Sequence, residues 1–111
     1  MTTIHGNDIT ESIRRALQFI ACYPPADFIQ AMLTAYEKET SVAAKDVLAQ
    51  ILTNIRLCAL NHRPLCQDTG IVTVFLDIGR KVCIDSRHTI EELIQEGVRQ
   101  AYLDKTNPLR A

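Results

Sequence analysis

The sequence predicts a mainly α-helical fold with a small β element, which is an α+β class. Four segments carry apolar side chains at helical spacing, three of them within the first 60 residues and one after residue 89. One run, residues 71–78 (IVTVFLDI), is rich in β-branched and aromatic residues instead, which is typical of a strand. Helices therefore dominate the prediction, and the β element is confined to the region after residue 70.

The first two helices are separated by a pair of prolines. The first helix is predicted over residues 8–21, with Asp8 at the N-cap and Glu11 at the third position of a capping box. The Pro-Pro pair ends this helix, because proline has no N–H and restricts the residue before it. Its second member, Pro25, suits the first turn of a second helix over residues 25–38.

The third predicted helix covers residues 42–60 and has the strongest periodicity in the chain, with Ser41 as its expected N-cap. An apolar stripe runs along it, and we expect this stripe to be one surface of self-association. Its members are Val47, Leu48, Ile51, Leu52, Ile55 and Cys58.

The β element is predicted to be a hairpin or a bent strand. Residues 71–78 form the first strand, residues 79–80 the turn, and residues 81–84 a short second strand. A fourth helix follows, because Thr89 and Glu92 have the spacing of a capping box. This helix is predicted to extend to residue 102 or 103.

Composition and charge bound the class of protein. With 111 residues, the chain is long enough for one domain, residues 1–111, and no more. It is 47% hydrophobic and 23% charged with a net charge of −1, which excludes disorder and gives no basic surface for nucleic acid or an acidic membrane. No signal peptide or run of about 20 apolar residues is present, so we expect a cytoplasmic protein.

Four cysteines are present, and none of them forms a C-x-x-C pair. In a reducing cytosol we expect thiols rather than disulfides, and a self-contained zinc site is not indicated. Cys58 and Cys83 fall within a predicted helix and a predicted strand, and Cys22 lies at the end of the first predicted helix. We expect these three to be core or half-buried thiols, because free cysteine packs as a small apolar residue.

The fourth cysteine lies in a loop of unusual chemical content, residues 63–70 (RPLCQDTG). There, Cys66 can be a metal ligand or a nucleophile, and Asp68 can transfer a proton or orient a partner. Gly70 permits a backbone turn that a side chain would obstruct. The structural alternative is a tight turn in which Asp68 and Thr69 bind backbone amides and Cys66 packs.

The string CQDTG, preceded by RP, resembles the first cluster-binding motif of class I fumarate hydratases and of their relatives, the L-tartrate dehydratases. Further features follow in the family's order: the strand IVTVFLDIG, a helix containing EGVRQAY, and a PLR segment. The chain thus resembles the helical N-terminal part of an iron–sulfur hydro-lyase catalytic domain. The resemblance implies that residues 1–111 are part of a longer enzyme and are inactive alone.

The resemblance also implies roles for four residues. Cys66 matches the first of three cysteines that hold a [4Fe–4S] cluster, so two ligands are expected elsewhere. Gln67 and Asp68 match positions that line the substrate site, and Asp68 is the candidate for proton transfer. Arg110 matches an arginine that binds a substrate carboxylate, a role that suits its planar fork.

The implied activity is a hydro-lyase that interconverts fumarate and (S)-malate, with a small dicarboxylate as its substrate. An L-tartrate dehydratase alpha-type subunit is the alternative, because the RP and PLR segments fit that branch as well. A non-catalytic helical interaction or oligomerisation domain is the alternative outside enzymes. The expected partners are further copies of the chain or the rest of the parent enzyme.

Overall fold

A computed structural model of the chain describes residues 1–66, 68, 70–106 and 109. The elements are β1 (Thr2–His5), α1 (Gly6–Cys22), α2 (Ala26–Lys38), α3 (Val42–Asn61), β2 (Val82–Asp85) and α4 (Ile90–Leu103). The predicted class, mainly α with a small β element, is confirmed. Two compact units form: unit 1 contains residues 1–18 and the described residues from 68 onward, and unit 2 contains Phe19–Cys66.

Two predicted helix caps are confirmed by their hydrogen bonds. The Ser41 side chain accepts the Ala44 N–H at 3.4 Å and so opens α3. At α4 the Thr89 hydroxyl accepts the Glu92 N–H at 3.2 Å, while the Glu92 carboxylate accepts the Thr89 N–H at 2.9 Å. Both caps satisfy N–H groups that the first turn of a helix leaves without partners.

The predicted cap of the first helix is wrong, because α1 begins two residues earlier, at Gly6. Asp8 therefore lies inside the first turn, where its negative charge interacts favourably with the positive end of the helix dipole. Glu11 binds the Arg14 guanidinium at 2.7 and 2.8 Å instead of capping the backbone. A side chain at Gly6 would meet the Ser86 hydroxyl at 2.7 Å, so the close approach at this helix start requires glycine.

The predicted hairpin is also wrong, although its second strand, predicted over residues 81–84, is observed as β2. The strand β2 pairs with β1 in parallel, in a register that places Thr2 opposite Val82 and His5 opposite Asp85. Nothing in the sequence predicted β1, since its four residues carry too little pattern to indicate a strand. Parallel pairing also joins segments that are distant in sequence, so no turn motif between them predicts it.

Residues 71–78, predicted to be a strand, form none in the described chain. Their backbone makes no hydrogen bond to any described residue, and Ile71 and Phe75 are 94% and 93% exposed. On the alternate face, Val72 and Val74 line a surface cavity with α4. Strand propensity reflects the packing of a pleated surface, and no strand of the described chain lies beside this segment to form a ladder with it.

The core of unit 1 is built where α1 and α4 approach each other. Leu93 and Ala101 of α4 are buried, and the Thr10 hydroxyl donates to the Leu93 carbonyl at 3.0 Å. A Cβ on Gly97 would lie 2.7 Å from both the Ile13 Cβ and the Thr10 carbonyl oxygen. Glycine at this position therefore lets the two helices approach more closely than any side chain would permit.

The core of unit 2 contains Cys22 of α1 together with Ile55 and Cys58 of α3. Two members of the predicted apolar stripe on α3 are thus buried within the unit itself. Val47 and Ile51, nearer the start of α3, are 54% and 39% exposed. The stripe therefore serves first as the inner face of α3, and only its N-terminal half is open to another molecule. No helix within the described ranges is long and apolar enough to cross a membrane.

Candidate functional site

The loop that carries Cys66 begins at the sharp end of α3. His62 adopts the left-handed conformation with φ 49°, and its N–H, like that of Arg63, donates to the Cys58 carbonyl. Such a residue ends a helix and satisfies its last carbonyls, although here it is not the usual glycine. A hydrogen bond of 3.0 Å joins the Tyr23 hydroxyl to His62 Nδ1. His62 is exposed at the helix end, as predicted.

The two residues before Cys66 are held by hydrogen bonds to the surrounding helices. The Asn54 side-chain amide of α3 donates to the Leu65 carbonyl at 2.8 Å. The Leu65 N–H donates to the Ala21 carbonyl, in the last turn of α1, at 3.1 Å. In addition, the Cys58 Sγ lies 3.5 Å from the Pro64 carbonyl oxygen and also from Asn54 Oδ1, so its single proton can serve either acceptor.

Cys66 itself is exposed, and it directly follows Leu65, whose backbone is held by these hydrogen bonds. An exposed thiol on a fixed support can reach a metal or a substrate with little rearrangement. The other exposed cysteine is Cys83 of β2, and this corrects the prediction that it is a core or half-buried thiol. On β2 the half-buried positions are Val82 and Ile84, so the period of two turns Cys83 outward.

Asp68 and Gly70 form a turn after the cysteine. The Asp68 Oδ1 accepts the Gly70 N–H at 2.9 Å, and Gly70 has φ 61°. A Cβ at Gly70 would meet nothing within 4 Å, so glycine is needed for the backbone conformation rather than for space. The alternative interpretation of Asp68 as a turn former is thus observed, and its catalytic role stays a prediction.

Two of the predicted site residues, Gln67 and Arg110, lie outside the described residues, as does Thr69 of the predicted turn. Their roles at the substrate stay predictions. Asn54, which the sequence analysis did not single out, joins the candidate site through Leu65. The available signal was its place inside a helix, where asparagine is a poor helix former and often has a specific partner.

The donor set for a metal is incomplete within the described part of the chain. No group of three His, Cys, Asp or Glu side chains converges there. Cys22 and Cys58 are buried, and burial, together with the neighbouring Cys58, raises the pKa of the Cys22 thiol, which keeps it protonated. A cluster ligand must be a thiolate, so Cys22 is unsuited. Cys66 fits one ligand position of a cluster, not a complete site.

Comparison with known proteins identifies the family that this chain resembles. The family described as Fumarate hydratase (Fumerase) matches residues 10–111. A Methanocaldococcus jannaschii protein named "Putative L(+)-tartrate dehydratase subunit alpha" is 37% identical over 93 residues, which cover 84% of this chain and 33% of that protein. The L(+)-tartrate dehydratase subunit alpha of Escherichia coli O157:H7 is 24% identical over 104 residues, covering 94% of this chain and 33% of that protein.

The match to the family model covers most of the chain, and the names of the family and of these relatives are those of hydro-lyases. The chain belongs to the fumarate hydratase (Fumerase) family. It spans about a third of the length of the curated relatives that it matches.

Proposed function

We propose that this chain supplies one part of the active site of a hydro-lyase that interconverts fumarate and (S)-malate. The observation that carries the proposal is that Cys66 is exposed and follows a residue whose backbone is hydrogen-bonded to the neighbouring helices. The chain that contains it matches the Fumerase family over residues 10–111. The remaining part of the site would come from polypeptide that corresponds to the other two thirds of the relatives.

Cys66 would be one thiolate ligand of a [4Fe–4S] cluster. When bound, such a cluster supplies an iron without a protein ligand, a Lewis acid for a departing hydroxyl group. The fit rests on the donor chemistry: sulfur suits iron, and the thiol is exposed on a backbone that the neighbouring helices hold. Within the described residues no second cysteine lies in such a loop, so the other ligands are expected outside this chain.

Asp68 would handle the proton in the same reaction. Elimination of water from a hydroxy dicarboxylate requires removal of a proton from the carbon next to a carboxylate. The Asp68 carboxylate is exposed two residues after Cys66 in sequence. Gln67 would contact the substrate beside it, and Arg110 would bind one substrate carboxylate with its fork of N–H donors.

L(+)-tartrate is the second candidate substrate, and one observation favours it. Both relatives described above are named as alpha subunits of L(+)-tartrate dehydratase. A protein of that kind would require a second, different subunit as its partner. Fumarate remains the first proposal because of the family match and the two sequences after the motif, IVTVFLDIG and EGVRQAY.

The test uses the whole enzyme, purified and loaded with iron without oxygen. Initial rates are measured with fumarate, (S)-malate and L(+)-tartrate as separate substrates, and iron content is measured alongside. We expect turnover of one dicarboxylate pair, together with loss of both iron and activity in Cys66→Ser. Iron-loaded enzyme that converts none of the three substrates would contradict the proposal.

A further inference from the structure

We propose that Asn54 is a positioning residue for Cys66: it fixes the peptide plane from which the cysteine side chain projects toward its cofactor. The inference rests on the proposed role of Cys66 as a cluster ligand. Its geometric basis is the hydrogen bond of 2.8 Å between Asn54 Nδ2 and the Leu65 carbonyl oxygen.

The covalent geometry of the peptide bond makes this hydrogen bond informative. The carbonyl oxygen of Leu65 lies in the same rigid plane as the amide nitrogen and Cα of Cys66. An anchor on that oxygen therefore restrains the direction in which the Cys66 Cα–Cβ bond leaves the loop. Asn54 acts through the backbone, so it need not touch the thiol.

The neighbouring peptide, which joins Pro64 and Leu65, is held as well. The Leu65 N–H is bonded to the Ala21 carbonyl of α1, while its C=O is bonded to Asn54 of α3. Both backbone polar groups of the residue before Cys66 are thus fixed to two different helices. The Cys58 thiol, at 3.5 Å from the Pro64 carbonyl, supports the preceding peptide as well.

A hydrogen bond that only stabilises the fold would look the same in a static structure, so the test must separate positioning from stability. Asn61 provides the matched control. It lies on the same helix, and its side-chain amide donates to the Leu57 carbonyl at 2.9 Å, but that bond closes within α3 and does not reach the loop. Asn54→Asp keeps the size of the side chain and removes the donor, and Asn61→Asp makes the same change at the control site.

The first measurement is amide hydrogen exchange on the 111-residue chain, with no metal present. Removal of one net hydrogen bond should open the Leu65 N–H more often, so we expect its exchange to be roughly 2- to 10-fold faster in Asn54→Asp. Asn61→Asp should leave the Leu65 amide unchanged. If the Leu65 amide exchanges at the same rate in both variants and in the parent chain, Asn54 does not hold the loop and the inference is overturned.

The second measurement is made on the iron-loaded whole enzyme. We expect Asn54→Asp to shift the electron paramagnetic resonance spectrum of the reduced cluster and to speed iron loss to a chelator several-fold. Asn54→Gln, which keeps an amide donor, should restore both properties in part, and Asn61→Asp should not alter them. Spectra and iron loss in Asn54→Asp that match those of Asn61→Asp would overturn the positioning role.

The two proposals fail in different ways. If Cys66→Ser keeps the full iron content of the parent enzyme, Cys66 is not a ligand and the proposed function of this loop is wrong. If Cys66→Ser loses iron while Asn54→Asp keeps the parent spectrum and iron loss, only the positioning role is wrong. Thermal unfolding of each variant identifies any that fails to fold, and Asn54→Gln then carries the comparison.

Discussion

At the scale of single residues, Asp68 has two roles that one substitution can separate. Its Oδ1 accepts the Gly70 N–H, which is a turn function, while the proposed function assigns it a proton transfer. An asparagine side chain has an oxygen that can accept the same hydrogen bond, but it does not titrate. Asp68→Asn should therefore preserve the turn and remove the proton chemistry.

We expect Asp68→Asn to lower the turnover of the whole enzyme by about 10²- to 10⁴-fold, the range typical for loss of a general acid or base. Steady-state rates with the preferred dicarboxylate, normalised to iron content, measure this change. Asp68→Ala is the companion variant, because it removes the turn bond as well. Near-normal turnover in Asp68→Asn would reduce Asp68 to a turn former.

The four cysteines should differ in reactivity according to their burial. Cys22 and Cys58 are buried, and the raised pKa of Cys22 leaves little thiolate, whereas Cys66 and Cys83 are exposed. Alkylation of the native chain, followed by mass spectrometry, should label Cys66 and Cys83 first. All four should react in denaturant, and rapid labelling of Cys22 in the native chain would contradict the fold of unit 2.

The candidate site was predictable from sequence only where its signals are local. The turn at Gly70 follows from the string itself, because glycine next to Asp-Thr favours a bend, and φ 61° bears this out. The support from Asn54 was not predictable, since it reaches Leu65 across 11 residues after the chain reverses at His62. Such a contact depends on where α3 ends in three dimensions, which no spacing rule encodes.

At the scale of elements, the close approach of α1 and α4 depends on Gly97. A methyl group there would meet the Ile13 side chain and the Thr10 backbone at 2.7 Å, so the helices must move apart. We expect Gly97→Ala to lower the free energy of unfolding by about 1–2 kcal/mol, the overpacking cost less the gain in helix propensity. Denaturant unfolding measures it, and the exposed Gln95→Ala on the same helix should be nearly neutral.

The ion pair on α4 predicts a dependence of stability on pH. Hydrogen bonds from Arg99 and Gln100 lower the pKa of Glu96 from 4.5 to about 2. Because the pKa is lower in the folded state, the pair stabilises the fold above pH 4.5, and this contribution is lost as the pH falls toward 2. The effect should be small, since the pair is exposed to solvent.

We therefore expect Glu96→Gln to unfold at a lower temperature than the parent chain at pH 7 and at the same temperature near pH 2. Thermal melts across this range measure the gap between the two proteins. In an Arg99→Gln background the gap at pH 7 should shrink, because the main partner of Glu96 is gone. A gap that persists unchanged down to pH 2 would argue against the ion pair as its cause.

Helix caps were predictable where the pairing of strands was not, and the reason is physical. The caps at Ser41 and Thr89 lie within three residues of the N–H groups that they satisfy, so the sequence contains the whole interaction. The pairing of β1 with β2 joins residues about 80 positions apart. The strand predicted over residues 71–78 is wrong, because strand propensity cannot show whether a partner strand exists.

At the scale of the whole molecule, many large apolar side chains are exposed to solvent. Both units expose them to an extent that is unusual for a free monomer. In unit 2 they include Phe19, Ile20, Val42 and Leu60, and in unit 1 Ile71, Phe75 and Leu103. A chain that spans a third of the length of its relatives would expose such faces if the remaining two thirds of the fold normally cover them.

Segment 71–78 is the feature most apt to drive association of the isolated chain. It combines apolar side chains that are more than nine-tenths exposed at Ile71 and Phe75 with a backbone that no described residue bonds. An exposed segment with high strand propensity and unpaired backbone groups can pair with a second copy of itself. At about 100 μM, where contacts of micromolar affinity are filled, we expect sedimentation equilibrium to find dimers or larger species.

Phe75→Lys should shift the chain toward the monomer, because a charge at this position opposes apolar pairing while a 93% exposed site tolerates the change. Leu103→Lys is the matched control: it places the same charge at another exposed apolar site, 62% exposed, at the end of α4. If only Leu103→Lys dissociates the assembly, the interface lies on α4 instead. A monodisperse monomer for the unmodified chain would show that the exposed segment does not pair with a second copy at this concentration.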